Sequence, residues 1–464
     1  MFDAELSPGW MSQLDQEQLT DVVDFRFTDL PGRWGHVVHW AEVLRDKCEP
    51  PLVSIASTSL MGWGAVQNSE LALRPHLETA FVDPFASERS TVLTCGIVDP
   101  RSGRPDAKDP RATLERAVEY LKASGIADTM LVGVELEFHV FEGIRFRQSA
   151  GQSSVAVDEG DPQSHRIAYA QHHYATAPSD WASSFRSGLL KTLRDVGVVP
   201  LHHQHEAGLG QHEISLRHGE AISAADAIQK AKYVVLNSVT RLGKTATFMP
   251  KPMAYRPGSG LHLNVSLWRE GVPLFAGEQA AGLSEVGIWF LAGVLAHTRA
   301  LNALLNPSTN GYKRIDGLFN PMLAAFYGTA NRSAPIRVPF AGSPSEKRLE
   351  IRYADATANP YLALAAVLMA GLDGIERKLS PGVPYEADAT RTMGSFDPRK
   401  RSPLSLCRTV EEAVVALDGD RTFLTRGEVF SEALVDAQLA ELCRQARVSR
   451  GLPHPNEFPM FYGC

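Results

Sequence analysis

Four short runs of this chain alternate between apolar and polar residues, a period of two that predicts strands with two unlike faces. In Val132–Val140 (VGVELEFHV) the apolar set is Val134, Leu136, Phe138 and Val140, and the opposite set is Glu135, Glu137 and His139. Gly260–Trp268 (GLHLNVSLW) sets Leu261, Leu263, Val265 and Leu267 against His262, Asn264 and Ser266. Arg348–Tyr353 (RLEIRY) sets Leu349, Ile351 and Tyr353 against Arg348, Glu350 and Arg352, and His212–Leu216 (HEISL) sets Ile214 and Leu216 against Glu213 and Ser215. The apolar faces are expected to pack on helices. The opposite faces are too polar for a dry core, because unpaired buried charge is costly. They predict a cavity whose carboxylates are neutralised by cations. A single strand of this kind is equally an exposed face decorated with charge; four with matching side-chain types point to a site.

Helical periodicity is expected over Arg111–Lys122, Ser183–Asp195, Ala224–Thr240, Glu285–Leu305, Pro360–Arg377 and Phe430–Ala446. Asn359 is an expected N-cap, with proline at the first helical position. Before these helices come short strands such as Val22–Phe27 and Thr91–Ile97, and the polar stretch Asp99–Asp109 reads as a linker. The pattern is α+β, with a small domain over residues 1–108 and a large one over 109–464.

Composition narrows the classes. A net charge of −7 gives no footprint for nucleic acid. No apolar stretch approaches the ~20 residues of a membrane span, and the N-terminus lacks the pattern of a signal peptide, so a cytoplasmic location and no membrane partner are expected. The five cysteines (Cys48, Cys95, Cys407, Cys443, Cys464) never form a C-x-x-C pair, which argues against a thiolate zinc site or a disulfide framework. Metal chemistry therefore falls to carboxylates and histidine. Glu135, Glu137, Glu206, Glu213 and Glu350, with His262 as the imidazole, suit Mg²⁺ or Mn²⁺ and suffice for two ions. Beside them stand Arg314, Arg332, Arg337, Arg348 and Arg352. Hard cations with guanidinium forks suggest phosphoryl transfer. Neither a Walker A loop nor a kinase glycine loop is present. The run His202-His203-Gln204-His205 reads as packing around Glu206 rather than as ligands.

Taken in order, the motifs resemble the glutamine synthetase family, the bacterial type I enzymes in particular. They are Asp24–Gly32, Gly62-Trp63, Phe81–Phe85, Glu135-Leu136-Glu137, Gly210–Glu213, Phe248–Pro252, Gly258–His262, Asn306–Arg314, Asn331–Pro339, Arg348–Arg352, Asn359–Tyr361 and Pro453–Tyr462. The resemblance implies a β-grasp-like N-terminal domain and a catalytic domain with a curved antiparallel sheet surrounded by helices. It implies an ATP-dependent ligase that forms γ-glutamyl phosphate from glutamate and lets ammonia displace the phosphate. It also implies two to three Mg²⁺ or Mn²⁺ ions and a dodecamer of two hexameric rings with active sites between subunits. Position by position, Glu137, Glu206 and Glu213 match the ligands of one metal, and Glu135, His262 and Glu350 those of the other. Gly258, His262, Arg314 and Arg352 match glutamate-binding positions. Arg332, Arg337 and Arg348 match arginines that handle phosphate, and Ser266 and Trp63 correspond to the nucleotide site.

The amine site departs from the family. One of its acids becomes Ala56, and the other becomes Asn320, or Phe319 if the loop slides by one; Asp316 is a nearby substitute. Tyr174 and Glu206 are retained, with His172 and His173 preceding Tyr174. Removing two anions weakens the attraction for ammonium and suits a neutral amine with a carbon body. This resembles the γ-glutamylamide branch of the family, with an aniline-like or other apolar amine as substrate. Two alternatives remain open: an ordinary glutamine synthetase using ammonia, and a non-catalytic protein on the same scaffold. Pro257 and Asn264 replace a family asparagine and histidine. Phe396 stands nearest the tyrosine that some type I enzymes have adenylylated, so that regulation is not expected.

Overall fold

The computed structural model describes residues 10–14, 20–45, 47, 49–63, 69–149, 152–160, 173–177, 179–316, 322, 324–386 and 405–451. Strands β1 (Val22–Thr28), β2 (Trp34–Trp40), β3 (Val53–Ala56), β4 (Glu70–Val82) and β5 (Ser90–Val98) form one sheet in the order β2-β1-β5-β4-β3, with the single turn α1 (Glu42–Arg45) after β2. Its inner pair β1–β5 is parallel, and the other neighbours are antiparallel. The strands expected at Val22–Phe27 and Thr91–Ile97 lie within β1 and β5.

The stretch Asp99–Asp109, read as a linker, folds back on β5. Asp106 N donates to Ile97 O at 2.9 Å, and Asp109 Oδ2 accepts from Ile97 N at 3.1 Å. Asp109 Oδ1 also accepts from Arg111 N at 3.2 Å and so caps α2 (Pro110–Ala123). Short acidic side chains here satisfy main-chain donors rather than water. Composition alone does not separate that arrangement from a solvated loop.

The larger sheet follows: β6 (Thr129–Phe141), β9 (Pro200–His205), β10 (Gln211–Glu220), β12 (Leu261–Arg269), β14 (Tyr327–Thr329), β15 (Ile336–Val338) and β16 (Leu349–Ile351). Their order is β14-β15-β16-β12-β6-β10-β9, with β11 (Thr245–Thr247) added to β6 and β13 (Val272–Pro273) to β12. A separate hairpin, β7 (Gly143–Ser149) and β8 (Gln152–Asp158), follows β6. On the sheet's apolar face Val134, Leu136, Phe138, Ile214, Leu261, Leu263 and Val265 are all buried. Helix α3 (Ser183–Asp195) lies against β9, and α4 (Ala221–Arg241) covers β6 and β10.

After α7 (Thr309–Ile315), the central helix, α8 (Pro360–Glu376), is buried from Pro360 to Ile375. Asn359 caps it as expected, accepting from Tyr361 N at 3.1 Å and Leu362 N at 3.4 Å. The same side chain donates to Asp29 O at 2.9 Å, tying the N-terminal sheet to the helix. The pattern over Glu285–Leu305 predicts one helix, but the chain turns by 74° between α5 (Glu285–Ala296) and α6 (Thr298–Leu305). His297 at the break leaves helical geometry because its ring is held from both sides, Nδ1 2.7 Å from Asp420 Oδ2 and Nε2 2.9 Å from Asp373 Oδ2. Apolar periodicity does not register one tethered residue. No single helix among the described residues is long and apolar enough to cross a membrane.

Candidate active site

Strand register assembles the site. Glu213 of β10 is paired with Glu137 of β6, Glu135 of β6 with His262 of β12, Asn264 of β12 with Glu350 of β16, and Glu350 with Arg337 of β15. Residues that pair across strands share a face. The polar residues of five strands therefore form one continuous row opposite the helices. This row floors a cavity of ≈ 700 Å³ whose walls include Glu135, Glu137, Glu206, Glu213, Gly258, His262, Arg314, Arg332, Arg337, Arg348, Glu350, Arg352 and Tyr174.

Within it, ligand atoms of Glu135, His262 and Glu350 lie within 4.8 Å of one another, as do those of Glu137, Glu213 and His262. The donor set is hard oxygen with one imidazole, which fits Mg²⁺ or Mn²⁺. The electrostatics fit too. Burial, and then repulsion from Glu137, Glu206 and Glu135, push the Glu213 carboxyl up to about 9. Burial and Glu137 push Glu206 up to about 7. Burial also acts upward on Glu135, but the bonds from His262 and Asn264 outweigh it and hold that carboxyl at about 2. Glu135 is thus already held as the anion by its neighbours, whereas mutual repulsion on the Glu137–Glu213 side leaves a deficit of positive charge that a divalent cation fills. Glu206 was expected to complete that side. It lines the cavity, but Gln204 Nε2 holds its Oε1 at 2.7 Å, and it belongs to neither group.

The arginines ring the cluster. Arg337 and Arg352 both bond Glu350, and their Nε atoms are buried with no hydrogen-bond partner among the described residues. Arg348 Nε donates to Asn264 Oδ1 at 2.9 Å. Arg314 is buried, its NH1 donating to Tyr353 O at 3.1 Å and its NH2 to Arg352 O at 2.9 Å. A Cβ on Gly258 would meet Pro250 O at 2.3 Å and Arg314 Cγ at 3.0 Å; one on Gly260 would meet Arg314 NH2 at 2.5 Å. Glycine at both places lets the loop's main chain lie against the guanidinium.

A less charged corner adjoins Glu206. The rings of His173 and Tyr174 stack at 3.9 Å, and His173 Nε2 is 3.6 Å from Glu206 Oε1. Tyr174 holds φ = 63°, a left-handed backbone unusual for an aromatic residue, with its N–H on His205 O at 3.1 Å. Ala207, Pro257 and Met322 also line the cavity. Asp316 does not: it is exposed at the end of the Thr309–Ile315 helix and is absent from the cavity lining. It is therefore not the substitute acid that sequence proximity suggested.

A second cavity of ≈ 240 Å³ shares Glu135, His202 and Arg348 with the first, and Leu201, Leu216, Ser266 and Trp268 line it. Ser266 is placed there. Trp63 is not at either cavity of this chain: its indole is buried and donates to Asp106 Oδ1 at 3.0 Å. Ala56 is exposed at the end of β3, away from both. Phe319, Asn320, His172, Phe396 and the Pro453–Tyr462 motif lie outside the described residues.

Sequence reasoning passed over Gln204, Gln211, His202 and Met322 as cavity residues. Gln211 was within reach, since it precedes Glu213 by two and so shares its face. Of the histidine run, His202 Nε2 is 3.0 Å from Ser215 Oγ, His203 meets Arg186, and the buried His205 meets Glu206 O at 2.6 Å.

Comparison with known proteins agrees with this geometry. The model of the glutamine synthetase β-grasp domain matches residues 20–100, and that of the glutamine synthetase catalytic domain matches residues 107–461. The chain is 39% identical to a glutamine synthetase of Rhizobium meliloti over 97% of its own length and 98% of that protein. It is 38% identical to the 3-hydroxylaminophenol mutase of Cupriavidus pinatubonensis, over 97% of its length and 98% of that protein. Among solved structures, apo GmaS superposes with a TM-score of 0.82 at 28% identity, covering 97% of this chain and 98% of that one. Plasmodium falciparum glutamine synthetase shares the fold, with a TM-score of 0.85 at 24% identity and 97% of each chain covered. With a carboxylate-rich, arginine-ringed cavity built on the strands its motifs predicted, and with both domain models matched along nearly its whole length, the chain belongs to the glutamine synthetase family.

Proposed function

We propose that this ATP-dependent ligase of the glutamine synthetase family joins the γ-carboxylate of L-glutamate to an organic amine, best an aniline-like or other apolar one. The observation that carries the reading is the corner around Tyr174. Among the described residues its nearest carboxylate is Glu206, with aromatic and small groups beside it (His173, Tyr174, Ala207), and Asp316 does not line the cavity. Ammonium wants an anionic trap, whereas a neutral amine wants a place for its carbon body. A relative at 38% identity, by its name, acts on a hydroxylaminophenol, a nitrogen carried on an aromatic ring, which supports this reading.

In this reading the second cavity takes the adenosine, with Ser266 and Trp268 in its wall, and the phosphates reach the shared edge at Glu135 and Arg348. GmaS, solved as an ADP complex, is consistent with a nucleotide on this fold. Arg314, Arg352, the Gly258 loop and His262 hold glutamate; guanidinium forks read carboxylates in two-point fashion. Glu135, Glu350 and His262 on one side, and Glu137, Glu213 and Glu206 on the other, would hold Mg²⁺ or Mn²⁺, which supply charge neutralisation to the transferring phosphoryl group. The γ-carboxylate oxygen attacks the terminal phosphorus and ADP leaves, while Arg332, Arg337 and Arg348 take up charge on the phosphoryl oxygens. The amine nitrogen then attacks the acyl carbon, phosphate departs, and the amine's proton passes to Glu206. A cytoplasmic dodecamer, in which Ala56 and Trp63 of one subunit approach the cavity of the next, is part of the same proposal.

Phosphate release with ATP, glutamate and a panel of amines tests it. The expected order places an apolar amine above ammonia in kcat/KM. Ammonia above every organic amine would make the protein an ordinary glutamine synthetase, and no hydroxamate from hydroxylamine would make it a non-catalytic member.

A further inference from the structure

Gln211 stands at the start of β10 with its side chain buried, and its carboxamide touches three separate segments. Oε1 accepts from Gly208 N at 2.9 Å. Nε2 donates to Glu137 Oε2 at 3.2 Å and to Gly258 O at 3.1 Å. Both amide hydrogens are thus engaged. Gly260 N completes the arrangement, reaching the same Glu137 oxygen at 2.8 Å and leaving Oε1 to face His262 Nε2 at 3.6 Å. A Cβ on Gly208 would lie 2.6 Å from Gln211 Oε1, so a larger residue there would require the carboxamide or the turn carrying Glu206 to shift.

We infer that Gln211 is a positioning residue that couples the glutamate loop to the cation-binding carboxylates. It fixes which oxygen of Glu137 faces the cavity, and the same amide group fixes the carbonyl of Gly258. Its acceptor atom anchors the turn that bears Glu206. Groups that orient a metal ligand alter affinity although they never touch the ion. Because one amide serves both partners, filling one site organises the other, a linkage that must act equally in both directions. The inference rests on the assignment of glutamate to the Gly258 loop; its metal half does not.

Gln211→Met keeps the length and removes every bond. Binding of Mn²⁺, followed by electron paramagnetic resonance on nucleotide-free enzyme, should weaken about tenfold or more. The KM for glutamate should rise comparably while the KM for ATP holds. In the native protein, saturating Mn²⁺ should tighten glutamate in calorimetric titration; in the variant that tightening should vanish. Gln211→Glu keeps the acceptor for Gly208 and loses both donors, so it should show the same losses, and it carries the test if the methionine variant does not fold. Mn²⁺ affinity and glutamate KM both within about twofold of native, or a loss confined to kcat, would overturn the inference. Native protein that binds Mn²⁺ but never turns over ATP with glutamate would instead overturn the proposed function.

Discussion

The Nε2 of His262 lies 3.6 Å from the Oε1 of Glu137. Its other nitrogen, Nδ1, is 3.0 Å from Glu135 Oε2 and 3.9 Å from Glu350 Oε1. One imidazole is therefore common to both candidate cation groups. A neutral ring has one lone pair to give and one N–H to donate, so it serves one group as a ligand and orients the carboxylates of the other. In His262→Ala, one class of Mn²⁺ site should be lost and the second weakened, with turnover reduced at least about 100-fold. Metal titration beside phosphate release checks this. Two undiminished classes of Mn²⁺ site would show that the carboxylates alone hold the ions.

Tyr174 separates the amine reading from the ammonia one. A ring that supports the carbon body of an organic amine should matter little to ammonia, which has none. Apolar contacts of this size discriminate by about 10–200-fold. Tyr174→Ala should lower kcat/KM for an aniline-like amine about tenfold and leave that for ammonia within about threefold. Equal losses for both would mean that the ring only holds Glu206 and the turn in place.

What was legible in the sequence, and what was not, follows the reach of each signal. Alternation in β6, β10, β12 and β16 marked the polar face because a period of two assigns sides without knowing the partner strand. Which residues meet across strands is a matter of register, and register brought His262 rather than Glu206 into the group with Glu137 and Glu213. Glu206 sits beyond the end of β9, where alternation no longer applies, and a hydrogen bond from Gln204 decides its direction. The Asp99–Asp109 turn and the break at His297 escaped for a related reason. Each depends on one side chain bonding a distant group, Asp109 to Ile97 and His297 to Asp373 and Asp420.

Helices α5 and α8 touch through glycine. A Cβ on Gly293 would lie 2.1 Å from Ala370 O and 2.7 Å from Gly374 N, and one on Gly374 would lie 2.2 Å from Trp289 O. The obstacle is main chain on the facing helix, which cannot rotate aside. Gly293→Ala gains roughly 1 kcal/mol in helix propensity, while overpacking costs about 1–3 kcal/mol and is expected near its upper end here, because the two helices must separate. The net loss, about 1–2 kcal/mol, should appear as a lower urea midpoint. A midpoint raised above native would mean that α5 slides without penalty.

His297 gives the stability a pH signature remote from the cavity. Burial acts to lower its pKa, but the hydrogen bonds to Asp420 and Asp373 outweigh that and raise it above the usual histidine value, while Asp373 is held below the usual aspartate value despite burial, by His297 and Arg377. A raised histidine stabilises the fold fully below its unfolded pKa of about 6.5, and the contribution is lost as pH rises through the folded value. A lowered aspartate stabilises above its unfolded pKa of about 3.9 and fades as pH falls through the folded value. The pairing should therefore be complete between roughly pH 4 and 6.5 and weaken on the alkaline side. His297→Gln keeps a hydrogen-bonding side chain and abolishes the charge. It should cost roughly 2 kcal/mol at pH 6, less than a fully buried pair because Asp420 is partly exposed to water. Denaturant unfolding at pH 6 and pH 9 measures the difference between native and variant, which should shrink at the higher pH. A difference that stayed constant or grew would mean that His297 is neutral in the folded protein and contributes by packing on Phe423, whose ring it stacks at 3.9 Å.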